Sequence, residues 1–97
     1  MKYLENDNLE EMISSGKYLV DFYAEWCMPC KMLSPVLESL KDKINIIKVD
    51  IDKFPILASN YKVMSVPTLL FFVDGKKVHE TIGFHEEDEL VEIIEKL

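Results

Sequence analysis

The chain has 97 residues, 48% of them hydrophobic, and sets 18 acidic side chains against 11 basic ones for a formal net charge of −7. That length fits one domain spanning residues 1–97, with enough apolar material for a core that needs no disulfide staples. The negative charge repels phosphate backbones and anionic lipids, and no Lys/Arg cluster overrides it, so neither nucleic acid nor membrane is an expected partner.

Met1 to Leu4 reads as a short edge strand. Asn6, Asp7 and Asn8 are N-cap candidates for a short helix carrying Leu9, Met12 and Ile13, with Gly16 as its stop. The next segment, Tyr18 to Ala24, is nearly all apolar, which suggests a strand covered on both faces. After Cys27 the period changes: Leu33, Val36, Leu37, Leu40 and Ile44 make one helical stripe, with Pro35 inside it and a kink expected there. Asn45 to Ile51 reads as a second buried strand and Pro55 to Tyr61 as a short helix. Thr68 to Val73 is a third strand. Asp74-Gly75 is a strong hairpin signal and turns the chain into an antiparallel partner, Lys76 to Gly83. Leu90, Ile93, Ile94 and Leu97 mark a final helix, with Glu86, Glu87 and Asp88 in its first turn and Lys96 in its last, an order that suits the helix dipole. The alternation β-α-β-α-β-α-β-β-α predicts an α/β fold, a three-layer sandwich around a mixed central sheet. No apolar leader precedes the first strand, and the longest apolar run, Val66 to Val73, is far short of the ~20 residues a membrane span needs. A cytoplasmic protein is therefore expected.

The chemistry concentrates in Trp26-Cys27-Met28-Pro29-Cys30-Lys31, a C-x-x-C that follows a strand and opens a helix. In a reducing compartment such a pair is more often catalytic or metal-binding than structural. At the helix start, Cys27 meets free N–H groups and the positive dipole end, which stabilise a thiolate. Cys30 shares its helical face with Leu33 and Leu37 and so points to the core. Cys27 is thus expected to attack a substrate disulfide and Cys30 to resolve the mixed disulfide, with Lys31 adding a positive charge at the open end. Three other readings stand beside this one. The pair is half of a zinc site with His79 and His85, although 48 residues separate Cys30 from His79 where a finger has about 12–15; or both cysteines are inert and buried; or they form a permanent structural disulfide. Asp21 is an acid among apolar neighbours, costly to bury ionised, and is a candidate to take the Cys30 proton; the alternative is a sheet end facing solvent. Lys48, in the neighbouring strand, either pairs with Asp21 beneath the cysteines or is an exposed or edge lysine. Pro67 either opens its strand in the ordinary way or follows a cis bond that leaves the Val66 backbone free to pair with a substrate.

These residues resemble those of a known family. Asp21-Phe22-Tyr23-Ala24-Glu25-Trp26-Cys27, Pro29-Cys30-Lys31, Pro35, Lys48-Val49-Asp50-Ile51-Asp52, Val66-Pro67-Thr68, Gly75 and Gly83 are similar to the thioredoxins over nearly the whole chain. The resemblance implies a thioredoxin fold with four to five strands and a protein-disulfide reductase recycled by a thioredoxin reductase. It implies an exposed nucleophile at Cys27, a buried resolving thiol at Cys30, an assisting carboxyl at Asp21 and a cis-proline at Pro67. It also implies a flat apolar patch of Trp26, Met28, Pro29, Val66, Pro67, Ile82, Gly83 and Phe84 that grips disulfide-containing protein substrates. Met28 stands where the family usually has Gly and adds an apolar, flexible side chain to that patch. Pro29 favours the reducing branch over isomerase-like members. No cofactor or metal is implied, and a monomer is expected. Two alternatives remain beside it: a specialised member serving one partner, and a non-catalytic binding module using the same patch.

Overall fold

The structure is a computed structural model and describes residues 1–97. Nine elements follow in the order β1 (Lys2–Tyr3), α1 (Leu9–Met12), β2 (Lys17–Tyr23), α2 (Met28–Ser39), β3 (Asn45–Asp50), α3 (Pro55–Asn60), β4 (Thr68–Val73), β5 (Lys76–Ile82) and α4 (Glu87–Glu95). They form one five-stranded sheet in the order β1-β3-β2-β4-β5. The β1–β3 and β2–β3 pairs are parallel, whereas β2–β4 and β4–β5 are antiparallel. The sheet is therefore mixed, with helices on both faces.

Strand alternation divides the core into two. Val20 and Phe22 of β2 join Ile47, Val49, Leu70 and Phe72 beneath α1 and α3, with Leu9, Leu57 and Ala58. Leu19 points the other way and joins Ile46, Leu69 and Phe71 beneath α2 and α4, with Leu33, Leu37, Leu40 and Leu90. Burying such a side chain fully contributes roughly 1.5–3 kcal/mol. The odd-numbered positions of β2 and even-numbered positions of β3 thus face α2, and this parity puts Asp21 and Lys48 on that side of the sheet.

Some boundaries differ from the sequence expectation. The first helix ends at Met12, ahead of Gly16. Gly16 serves the following strand instead. At φ +93° it leads into β2, and its N–H donates to Asp74 Oδ1 at 2.8 Å, tying the strand to the distant hairpin. The hairpin itself has positive φ at both Asp74 and Gly75, 49° and 84°, as a type I′ turn requires. α2 holds Pro35 inside it, as expected, but ends at Ser39, short of Leu40 and Ile44. Lys96 sits at the C-cap of α4, beyond its last turn, while Glu86 and Glu89 close a capping box at the other end. No helix is long and apolar enough to cross a membrane.

Candidate active site

The strand-to-helix junction after β2 builds the site. Cys27 is the N-cap of α2, with extended backbone (φ −89°, ψ 109°), and its Sγ accepts the Cys30 backbone N–H at 3.2 Å. That N–H is one of the orphan donors of the first helical turn, so the sulfur takes the place a Ser or Asp oxygen fills in other helices. Pro29 in the first turn lacks an N–H that would otherwise be unpaired there. One turn thus brings the two sulfurs together, and they are joined as a disulfide with their Cα atoms 5.2 Å apart. Around them pack Tyr23, Ala24, Ile51 and Val66.

Exposure does not separate the two cysteines as the resemblance implied. Cys27 is 5% exposed and Cys30 3%. Both belong to the one cluster against which Ile51 and Val66 pack. What differs is the backbone each sulfur meets: Cys27 Sγ lies 3.7 Å from the Val66 carbonyl oxygen at the surface loop, and it is the sulfur aligned with the helix N-terminus. The Val66–Pro67 bond is cis. Gly83 N–H donates to the Pro67 carbonyl at 2.8 Å, and Ile82 pairs with Thr68, so Val66, Pro67, Ile82 and Gly83 belong to one rim beside Cys27.

The exposed apolar side chains Trp26, Met28, Ile82 and Phe84 are all among the residues that the resemblance assigned to the patch. One contribution lies outside the sequence expectation. Asp52 Oδ2 accepts the Trp26 indole N–H at 2.9 Å and so fixes the ring's orientation, while Asp50 Oδ1 in turn accepts the Asp52 N–H at 2.9 Å. Asp50 at the end of β3 and Asp52 two residues on are the signal the sequence offers, since an acid at a strand end often meets the neighbouring loop.

On the face of the sheet that α2 covers lies a buried ion pair. Asp21 and Lys48 are register partners on β2 and β3, 1% and 4% exposed, with Lys48 Nζ 3.7 Å from Asp21 Oδ2. That separation is too long for a strong hydrogen bond, and neither Asp21 oxygen has a hydrogen-bond partner. Burial pushes the Asp21 carboxyl up to about 6, against the opposing pull of the Lys48 charge. Burial, reinforced by the Asp50 and Glu25 charges, likewise raises the Tyr23 phenol to about 12.

Of the two histidines, His79 packs edge-on against Phe71 with ring centroids 5.7 Å apart, and His85 Nδ1 lies 3.2 Å from the carbonyl of Gly83 at the rim.

Comparison with known proteins matches this geometry to one family. The family described as Thioredoxin matches residues 1–96. The thioredoxin of Chlamydia trachomatis is 46% identical over 99 aligned positions, covering 99% of this chain and 97% of that protein. The thioredoxin of Staphylococcus saprophyticus is 47% identical over 95, covering 94% and 91%. Among solved structures, a variant thioredoxin from Halobacterium salinarum superposes with a TM-score of 0.90 at 40% identity, covering 98% of this chain and 88% of that one. A redox-capable cysteine pair capping a helix, on a five-stranded mixed sheet and with relatives of this closeness, makes the chain a member of the thioredoxin family and a protein thiol–disulfide oxidoreductase.

Proposed function

We propose that the protein reduces disulfides in protein substrates, with Cys27 as nucleophile and Cys30 as resolving thiol. The Cys27 thiolate attacks one sulfur of the substrate disulfide, forms a mixed disulfide and expels the other substrate sulfur as a thiolate. Cys30 then gives its proton to the Asp21 carboxylate and attacks Cys27 Sγ. The Cys27–Cys30 bond forms, the mixed disulfide breaks, and the second substrate thiolate leaves. Two electrons have passed to the substrate, and a thioredoxin reductase restores the dithiol. Lys48 supplies the counter-charge that lets Asp21 be a carboxylate at all in this apolar layer.

The observation that carries the division of labour is the Cys30 N–H donating to Cys27 Sγ at 3.2 Å from the first turn of α2. A sulfur at that position is stabilised as an anion by a donor and by the helix dipole, whereas Cys30, inside the turn, has no such support. For the substrate, Trp26, Met28, Pro29, Ile82 and Phe84 offer the apolar contact. Val66, Pro67 and Gly83 contribute backbone against which an extended segment can lie. We assign the work to a monomer of one domain, residues 1–97, in the cytoplasm, where a reductant of protein disulfides has its substrates.

Alkylation of the fully reduced protein tests the roles. With iodoacetamide at pH 7, Cys27 is expected to be modified roughly tenfold faster than Cys30 or more, as read by peptide mass. Equal rates at the two cysteines would defeat the assignment.

A further inference from the structure

Lys48 is held from more sides than its partner Asp21. Its ammonium lies 4.8 Å from the centroid of the Tyr23 ring and 5.4 Å from that of Tyr3, and it donates to Ser34 Oγ at 3.3 Å. The two rings meet edge to face, with centroids 6.2 Å apart and planes at 82°. Three different elements supply these groups: Tyr3 is the register partner of Lys48 on β1, Tyr23 ends β2, and Ser34 lies on α2 one turn beyond Cys30. We infer that Tyr3 and Ser34 are positioning residues for the redox reaction, forming with Tyr23 a cage that holds the Lys48 ammonium against Asp21, the carboxyl that receives the Cys30 proton.

The physical need for a cage follows from the sheet. Lysine is a point charge on a flexible four-carbon stem, and holding it in one rotamer costs entropy. β3 is second from the sheet edge, and the only strand outside it, β1, is two residues long. Without a wall on that side the ammonium has a short path to water, away from a carboxylate to which it makes no close hydrogen bond. The Tyr3 ring closes that path and offsets part of the lost hydration through its π-face; both rings lie within the ~6 Å at which such contacts act. Ser34 anchors the same ammonium to the helix that carries Cys30, so the pair keeps its place relative to the thiol.

The groups facing the pair come from every packed element. Tyr3 and Tyr23 are the titratable ones on β1 and β2, with Asp50 and Glu25 acting on Tyr23. β4 presents Leu69 as the register partner of Asp21, and α2 presents Ser34, with Cys30 one turn away. Lys48 is thus the cation through which Tyr3 and Ser34 reach Asp21.

The functional meaning of the cage rests on the reading of Asp21 as proton acceptor, but its existence is tested separately, by following the Asp21 carboxyl with ¹³C NMR across pH in the oxidised protein. Tyr3 is 54% exposed, so its replacement is compatible with folding. Tyr3→Leu keeps an apolar cover but removes the ring; the Asp21 titration midpoint is expected to rise by about half a pH unit, roughly threefold in proton affinity. Tyr3→Phe keeps the ring and leaves the midpoint in place. Ser34→Ala raises it, and Ser34→Thr restores it. In a Lys48→Gln background, Tyr3→Leu has no further effect, because the cage acts only through the ammonium. An unshifted midpoint in Tyr3→Leu, a fall caused by water reaching the pair, or a shift that persists without Lys48 overturns the cage. Single-turnover resolution rates then separate the two readings. A cage seen by NMR in a protein whose resolution ignores Asp21→Asn would defeat the proton-acceptor assignment alone, whereas a resolution rate that depends on Asp21 with no midpoint shift would defeat the cage alone.

Discussion

Cys27→Ser abolishes disulfide reduction, lowering turnover of a protein disulfide by roughly 10³-fold or more, because no other group can form the mixed disulfide. Cys30→Ser behaves differently. It retains the first attack but cannot resolve it, so the protein accumulates covalently joined to its substrate, visible as a mass increase that dithiothreitol removes. The asymmetry follows from the helix start. Cys27 Sγ accepts the Cys30 N–H and lies beside the Val66 carbonyl at the rim, while Cys30 belongs to the first helical turn itself. The experiment is a single-turnover reaction with a disulfide-bonded protein, quenched with acid and read by mass spectrometry. If Cys27→Ser forms the trapped adduct and Cys30→Ser does not, the roles are reversed. If Cys27→Ser retains turnover, the reaction does not pass through this pair. A binding module without catalysis predicts a third pattern, in which neither variant forms an adduct and both keep the wild-type affinity for partners.

Asp21→Asn is expected to make the protein more stable and slower at once. The folded state holds the Asp21 proton to about pH 6, against an ordinary value of 3.8, because burial disfavours the charge. A carboxyl whose folded value is raised stabilises the fold only while protonated. Stability is therefore lost as pH rises from about 4 to about 6, and the full cost, about 3 kcal/mol, applies above that window. Asparagine has nearly the same shape and no charge to desolvate, but it leaves Lys48 without its carboxylate. The net gain should be about 2 kcal/mol at pH 8 and close to zero at pH 4.5, measured by urea denaturation at the two pH values. At pH 7 the same change should slow resolution by Cys30 at least roughly tenfold while leaving the Cys27 attack within about twofold, since only the second step needs a proton acceptor. A gain of equal size at both pH values would mean that the stability effect does not come from ionisation. Unchanged resolution would mean that another group accepts the proton. The combination of gain and loss is the ordinary trade between stability and a working site.

How far these features are legible in the sequence depends on whether the cause is local. The nine elements appear in the expected order because strand and helix periods are local patterns, and Asp74-Gly75 is a turn whose reason lies in two adjacent residues. An acid between Val20 and Phe22 is conspicuous by the same kind of reasoning, since its neighbours announce burial. What the chain does not announce are contacts made by register. Tyr3 reaches Lys48 only because β1 pairs with β3 two residues deep, and nothing near Met1 signals that. Ser34 is closer to hand: four residues beyond Cys30 on a helix is the same face one turn on, a count that finds it once Lys48 is known to lie beneath. The burial of Cys27 is hidden from the sequence because its cover, Val66, arrives from a loop 39 residues away. Gly16 has the spacing of a helix stop, yet its positive φ serves the start of β2, a distinction that turns on its long-range bond to Asp74. The Trp26–Asp52 contact is similar, with two loops meeting over the sheet end.

The most direct test of the central claim is a redox titration of the Cys27–Cys30 pair in dithiothreitol and glutathione buffers, followed by the fluorescence of Trp26, which adjoins the pair. Thioredoxins in general lie near ~−270 mV, and a midpoint there is the predicted result, for a carrier that drives electrons onto protein disulfides. A midpoint between roughly −180 and −120 mV would contradict it, making the pair an isomerase or oxidant and Met28, beside the nucleophile, the first residue to revert to Gly.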